Sequence, residues 1–159
     1  MNTPAKRTIR RATPGDVTTL ARFRFLFRSR RHEATEPEDE FIARCVEWMR
    51  HRLGPGSNWV VWILEHDGMP IGNLWVQMVE KIPNPGHEAE MHAYVSNVFV
   101  LPEHRNTGGG AMLLDAAIAD CRSTQVDSMF LWASDESRPL YRRHGFAEPD
   151  RVLVNELQE

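Results

Sequence analysis

The spacing of apolar and polar positions changes several times along the chain. Thr8–Ala12 suits a short strand, and "TPGD" behind it reads as a helix entry. Thr13 is the N-cap, Pro14 sits in the first turn and Asp16 takes the capping-box position. From about Asp16 to Arg31, the residues Val17, Leu20, Phe23 and Phe27 recur on one helical face. Thr35 and Glu38 repeat the entry signal, and a second helix runs through Ile42, Val46 and Met49 until Gly54 and Pro55 break it. The period then shortens. Trp59–Glu65 is rich in β-branched and aromatic residues, "HDG" signals a hairpin, and Ile71–Lys81 is the return strand. After the Pro/Gly loop "IPNPGHE", Glu90–Val100 reads as a strand and Met112–Arg122 as a helix. Ser128–Ala133 is a nearly continuous apolar run, as expected of a strand covered on both faces. Arg138–His144 is a short helix ended by Gly145, and Val152–Leu157 a last strand.

The predicted order is strand, two helices, antiparallel meander, helix, strand, helix, strand. A crossover helix between Val100 and Ser128 makes those two strands parallel, so the class is α/β with a mixed sheet. A length of 159 residues suits one domain around one core. The net charge of −3 gives no general case for nucleic acid or a membrane surface as partner. Lys6 and Lys81 are the only lysines, and the abundance of arginine reads as compositional rather than mechanistic. Cys45 and Cys121 lie in apolar-periodic helical segments, which suits buried free thiols in a reducing compartment. No run approaches signal-peptide or membrane-span length, so a cytoplasmic location is the expectation.

One stretch does not follow from propensity. "VFVLPEHRNTGGGAMLLDAAI" passes from a strand through three consecutive glycines into a helix, although each glycine costs backbone entropy. A helix N-terminus presents unpaired N–H groups and the positive end of its dipole, which together attract phosphate. Gly108, Gly109 and Gly110 leave that backbone bare, and Arg105 adds a cationic fork on the approach. A ligand-free strand-to-helix turn would use the same residues. Ala111-Met112 excludes the P-loop, which needs a Lys followed by Ser or Thr, and Leu113 breaks the dinucleotide fingerprint.

Arg105-Asn106-Thr107-Gly108-Gly109-Gly110 resembles the Arg/Gln-x-x-Gly-x-Gly/Ala signature of the GCN5-related N-acetyltransferase (GNAT) superfamily. "SDESRPLYRRHGF" is similar to a second landmark of that family, with Leu140, Tyr141, Gly145 and Phe146 matching. The resemblance implies a single GNAT-like domain over residues 1–159. Its sheet would be mixed and mostly antiparallel, with a splayed central parallel strand pair and flanking helices.

His87 and His92 lack metal-ligand spacing and no cysteine is near, so no metal is expected. The resemblance also implies acetyl-CoA as co-substrate. Its pyrophosphate would lie on the main chain from Asn106 to Ala111, beside Arg105, Thr107 and Gly108–Gly110. Its pantetheine arm would run along Val98, Phe99 and Val100, with Val98 N–H stabilising charge on the thioester oxygen. Tyr141 would protonate the departing thiolate. Ser134 and Ser137 replace the Asn and Ala usual in the family, which leaves that contact open. His144 reads as a surface residue. No cysteine sits where it could relay the acyl group, which favours direct transfer in a ternary complex over a covalent intermediate.

The acceptor and the general base are not fixed. Glu33, Trp75, Gln77, Glu90, His92 and Asn97 are the candidate acceptor-site residues, and Glu88, Glu90 and His92 are candidates to act as base through water. Asn97 suits either of two roles, orienting the acceptor or tying down a strand bulge. The acidic run Glu33, Glu36, Glu38, Asp39 and Glu40 would attract a cationic amine, but it equally complements a helix dipole. The expected partner is a small-molecule or peptide amine, with room for a homodimer and none for nucleic acid or membrane. The alternative is a non-catalytic acyl-CoA-binding or sensing module on the same fold.

Overall fold

The computed structural model describes residues 6–157. Five strands and four helices follow one another as β1 (Arg7–Arg11), α1 (Val17–Ser29), α2 (Glu38–Arg52), β2 (Trp59–His66), β3 (Met69–Glu80), β4 (Met91–Val100), α3 (Gly109–Ser123), β5 (Ser128–Phe130) and α4 (Arg138–Arg143). The strands lie side by side in chain order, antiparallel from β1 to β4 and parallel between β4 and β5. The crossover through α3 imposes that last direction.

Strand alternation divides the core in two. Val61, Ile63 and Trp75 face α1 and α2, where they meet Val17, Leu20, Ala21 and Met49. Leu64, Leu74, Val76, Ala93 and Val95 face the other way, onto Leu113, Leu114, Ala117 and Cys121 of α3. Each face removes a full set of apolar side chains from water, which is the main driving force for this arrangement.

The local signals act as their chemistry requires. Thr13 N–H donates to Asp16 Oδ2 at 2.8 Å, closing the entry to α1. Arg10 on β1 holds the same carboxylate at 2.8 and 2.9 Å and Glu65 on β2 at 2.6 Å. Asp67 and Gly68 both have positive φ, 49° and 79°, so a two-residue primed turn joins β2 to β3.

Two expected strands differ from the structure. The apolar run Ser128–Ala133 pairs only as far as Phe130, and it is not covered on both faces: Phe130 is 38% and Trp132 65% exposed. There Tyr94 stacks on Phe130 with centroids 5.3 Å apart, and the Trp132 ring meets the two of them edge-on at 5.4 and 5.8 Å. Val152–Leu157 forms no strand; Leu153 is 96% exposed. Its alternation is genuine, but among the described residues no strand pairs with it. The parallel pair therefore stands at one edge of the described sheet. Cys121 is buried as expected, whereas Cys45 is only half-buried, on a cavity wall.

Candidate active site at a splayed strand pair

β4 and β5 are paired at three positions, His92↔Ser128, Ala93↔Met129 and Tyr94↔Phe130. Beyond them the two chains diverge, and a cleft of about 790 Å³ opens between them. The divergence coincides with a bulge on β4. Asn73 pairs with Phe99 and Trp75 with Ser96, so Asn97 and Val98 together oppose Leu74. Asn97 has φ +52°, in the left-handed region that asparagine enters more readily than most other non-glycine residues. Hydrogen bonds hold it there: its carbonyl accepts from Asn73 Nδ2 at 3.4 Å and its side chain from Arg24 Nη1 at 3.2 Å. Of the two roles open to Asn97, tying the bulge is the one these contacts display.

The glycine turn closes the cleft's other end. Asn106, Gly108, Gly109, Gly110 and Ala111 line it, together with Val98, Val100, Arg105, Ser134, Ser137 and Tyr141. The three glycines answer to different constraints. Gly108 caps α3 with φ +86°. A Cβ on Gly109 would lie 2.6 Å from Leu64 Cδ2, because the first turn of α3 rests on β2. A Cβ on Gly110 would come within 3.2 Å of Leu140 on α4. Bare backbone at the mouth is thus partly a packing requirement.

Two expected cleft residues lie elsewhere. Phe99 is 3% exposed and its ring meets Phe23 and Phe27 of α1, at 5.5 and 6.1 Å, because strand alternation turns it to the opposite face from Val98 and Val100. Thr107 Oγ1 donates to His104 O at 2.6 Å, and its carbonyl accepts from Arg7; it is absent from the cleft wall.

Arg105 folds inward. Its Nε donates to Val100 O at 2.9 Å, which occupies a carbonyl otherwise free for a ligand. Its Nη2 is buried with no partner among the described residues. Burial, with Arg30 nearby, draws its pKa below the usual value. Tyr141 lines the cleft from α4, its ring 5.7 Å from Phe146, and burial alone pushes its phenol pKa up. It is therefore protonated throughout the neutral range. Ser134 Oγ and Ser137 Oγ lie 2.9 Å apart, and Ser137 also donates to Ser134 O, so both are engaged in the turn into α4. His144 is not a surface residue: its side chain is 13% exposed, with Nδ1 at 2.8 Å from Leu140 O and Nε2 at 3.4 Å from Asp115.

Composition concealed one set of residues. Arg24 and Arg28 on α1 and Arg31 just past its end line the cleft with Arg105 and Arg143, against Glu136 as the only acid among the lining residues. Their i, i+4, i+7 spacing was the available signal.

The acceptor-site candidates scatter. Trp75 lies under α2 beside Trp48 and Trp59, on a second cavity of about 360 Å³ that shares Arg24, Ser96 and Asn97 with the cleft. Gln77 fronts the open aromatic patch of Tyr94, Phe130 and Trp132. Glu33 borders a separate small depression beyond α1. Glu90 accepts from Asn84 N at 3.3 Å, Glu88 accepts from Asn84 Nδ2 at 3.0 Å, and His92 Nδ1 is 2.8 Å from Ser128 Oγ. None of these three lines the cleft: His92 stands where β4 and β5 are still paired, and Glu88 and Glu90 lie in the loop before β4. Among the described residues no group of three His, Cys, Asp or Glu side chains is placed to hold a metal ion. No helix there is long and apolar enough to cross a membrane.

The family model described as "Acetyltransferase (GNAT) family" matches residues 21–146. The chain belongs to the GNAT acetyltransferases. No curated protein sequence matches it. Solved GNAT-like structures share its fold. A GCN5-related N-acetyltransferase from Ralstonia eutropha JMP134 is 25% identical over 95% of this chain and 99% of that one, with TM-score 0.73. A predicted acetyltransferase from Clostridium acetobutylicum, solved with acetyl-CoA, is 21% identical over 96% and 97%, with TM-score 0.75. An aminoglycoside N-acetyltransferase, AAC(6')-Iy, solved with CoA, is 19% identical over 98% and 97%, with TM-score 0.69. The GNAT landmarks around Gly108–Gly110 and Tyr141 line one cleft.

Proposed function

We propose that the protein transfers an acetyl group from acetyl-CoA to a primary amine, directly, with both substrates bound. The observation that carries this reading is the cleft itself: a splayed parallel pair whose opening is lined by the glycine-rich start of α3 and by Val98, Val100 and Tyr141. The residues present suit the co-substrate. The first N–H groups of α3 and the unpartnered Arg105 Nη2 are donors without acceptors, and Arg28 and Arg31 add positive charge. The thioester supplies an activated acyl carbon.

The protein's own groups divide the remaining work. Val98 N–H, within the bulge, is the donor for the developing oxyanion, a kind of contact worth about 3 kcal/mol. As the nitrogen–carbon bond forms and the carbon–sulfur bond breaks, the sulfur takes the Tyr141 proton. The amine gives up its own proton to solvent, and Tyr141 is reprotonated from there. A sensing module would need no acid at Tyr141, so that residue separates the two readings. Thiol release from acetyl-CoA with a panel of amines tests this. Tyr141→Phe should keep acetyl-CoA affinity and lower kcat by about 10²-fold or more. Unchanged kcat would remove Tyr141 from the chemistry, and no thiol release with any amine would favour the sensor.

A further inference from the structure

The cavity under α2 has a chemistry of its own. At about 360 Å³ it falls at the small end of the range for small-molecule sites. Three indoles wall it: Trp48, Trp59 and Trp75, with centroids 5.5–5.9 Å apart. Its charged lining residues are Arg24 and Arg44, with no carboxylate among the lining residues. Arg44 is already matched by an ion pair to Glu36 and lies over the Phe41 ring. Arg52 lies over the Trp48 ring at 4.4 Å. Aromatic faces that attract cations are thus partly taken by arginines.

Arg24 differs from Arg44. Among the described residues it has no acidic partner within ion-pair distance, and its one side-chain hydrogen bond goes to Asn97 Oδ1. Burial, then the like charge of Arg28, draws its pKa down, so its positive charge stands uncompensated in a desolvated place. A guanidinium offers five N–H donors, and its fork matches a carboxylate in two parallel hydrogen bonds.

From this arrangement we infer that the acceptor is an amine carrying a carboxylate and a flat apolar group, an α-amino acid with an aromatic side chain being the simplest example. This rests on the acetyl-transfer reading and names its substrate class. The indoles receive the apolar group and Arg24 the carboxylate. Because Arg24, Ser96 and Asn97 border both spaces, an amine next to that carboxylate reaches the junction beside Val98. There its nitrogen bonds to the acyl carbon as the thiol leaves, with the proton balance already given. The acceptor's carboxylate matches the Arg24 charge, and the amine proton goes to solvent. Polycationic acceptors are disfavoured by that charge. The acidic run at the start of α2 does not offset it: Glu38, Asp39 and Glu40 are exposed and outside the lining.

The test is a titration of wild-type protein, followed by its tryptophan fluorescence, with L-phenylalanine, phenethylamine, L-alanine and spermidine. Acetyl-CoA is titrated separately, and thiol release is measured with each amine. L-Phenylalanine should bind at least about tenfold more tightly than phenethylamine, which lacks the carboxylate, or alanine, which lacks the ring. Arg24→Gln should erase the gap to phenethylamine, and Arg24→Lys should restore part of it. If the variants do not fold, the wild-type panel decides alone. Phenethylamine or spermidine binding as tightly as phenylalanine, or saturation by none of the four, overturns the inference. Thiol release with phenethylamine equal to that with phenylalanine overturns it while leaving acetyl transfer standing. Selective phenylalanine binding without acetyl-CoA binding upholds the pocket and removes the transferase reading.

Discussion

Gly109 and Leu64 touch across the α3–β2 contact, and that contact has a measurable consequence. Alanine at 109 places its methyl 2.6 Å from Leu64 Cδ2, and Leu64 is fully buried. Overpacking of this kind costs about 1–3 kcal/mol, so Gly109→Ala should lower the urea midpoint without changing the slope. A midpoint equal to or above wild type would mean that Leu64 gives way to the added methyl and that the helix propensity of alanine offsets the contact. The motif around Gly108–Gly110 was legible from the sequence as a bare helix start. That Gly109 is glycine for Leu64 was not, because the neighbour comes from β2, far earlier in the chain. Phe99 was misplaced for a related reason. The bulge at Asn97 and the pleat set its face, and a window of apolar residues does not announce a bulge.

The elements are tied together by Arg10, which joins β1 to Asp16 at the start of α1 and to Glu65 on β2. Its hydrogen bonds hold the Asp16 carboxyl down to about 2 from an ordinary 3.8. A carboxyl depressed in the folded state stabilises above its unfolded pKa, and the contribution fades as pH falls through the folded one. Here the window runs from about pH 4 down to about pH 2, and the amount is of order 1–2 kcal/mol once solvent screening at the partly exposed Arg10 is allowed for. Asp16→Asn should flatten the stability profile over that window; an unchanged profile would show that the clamp contributes nothing. Elements with both a periodic pattern and a neighbour to bury it were readable in advance, as α1, α2 and the β2–β3 hairpin were. Val152–Leu157 has the pattern alone, and Ser128–Ala133 loses its pairing partner where β4 diverges. Pattern establishes what a segment can do; only the surrounding layers establish that it does so.

At the scale of the whole molecule, a net charge of −3 conceals a positively charged cleft. Arg24, Arg28 and Arg31 were present in the sequence as part of an arginine-rich composition, and the fold gives three of them a common direction. Affinity for acetyl-CoA, which carries several phosphate charges, should therefore fall severalfold between low salt and about 0.5 M salt. Replacing Arg28 and Arg31 together by Gln should reduce both the affinity and its salt dependence. Salt-independent binding would place the phosphates away from this face.

The central claim is that acetyl-CoA occupies the splay between β4 and β5 over the start of α3. Calorimetric titration of the folded protein with acetyl-CoA tests it most directly, with Gly110→Trp as the matched control, since a bulky side chain there fills the cleft wall facing Leu140. The account predicts saturable one-to-one binding by the wild type and its loss in the folded variant. No heat of binding from a well-folded wild type, or equal affinity in the variant, would contradict it.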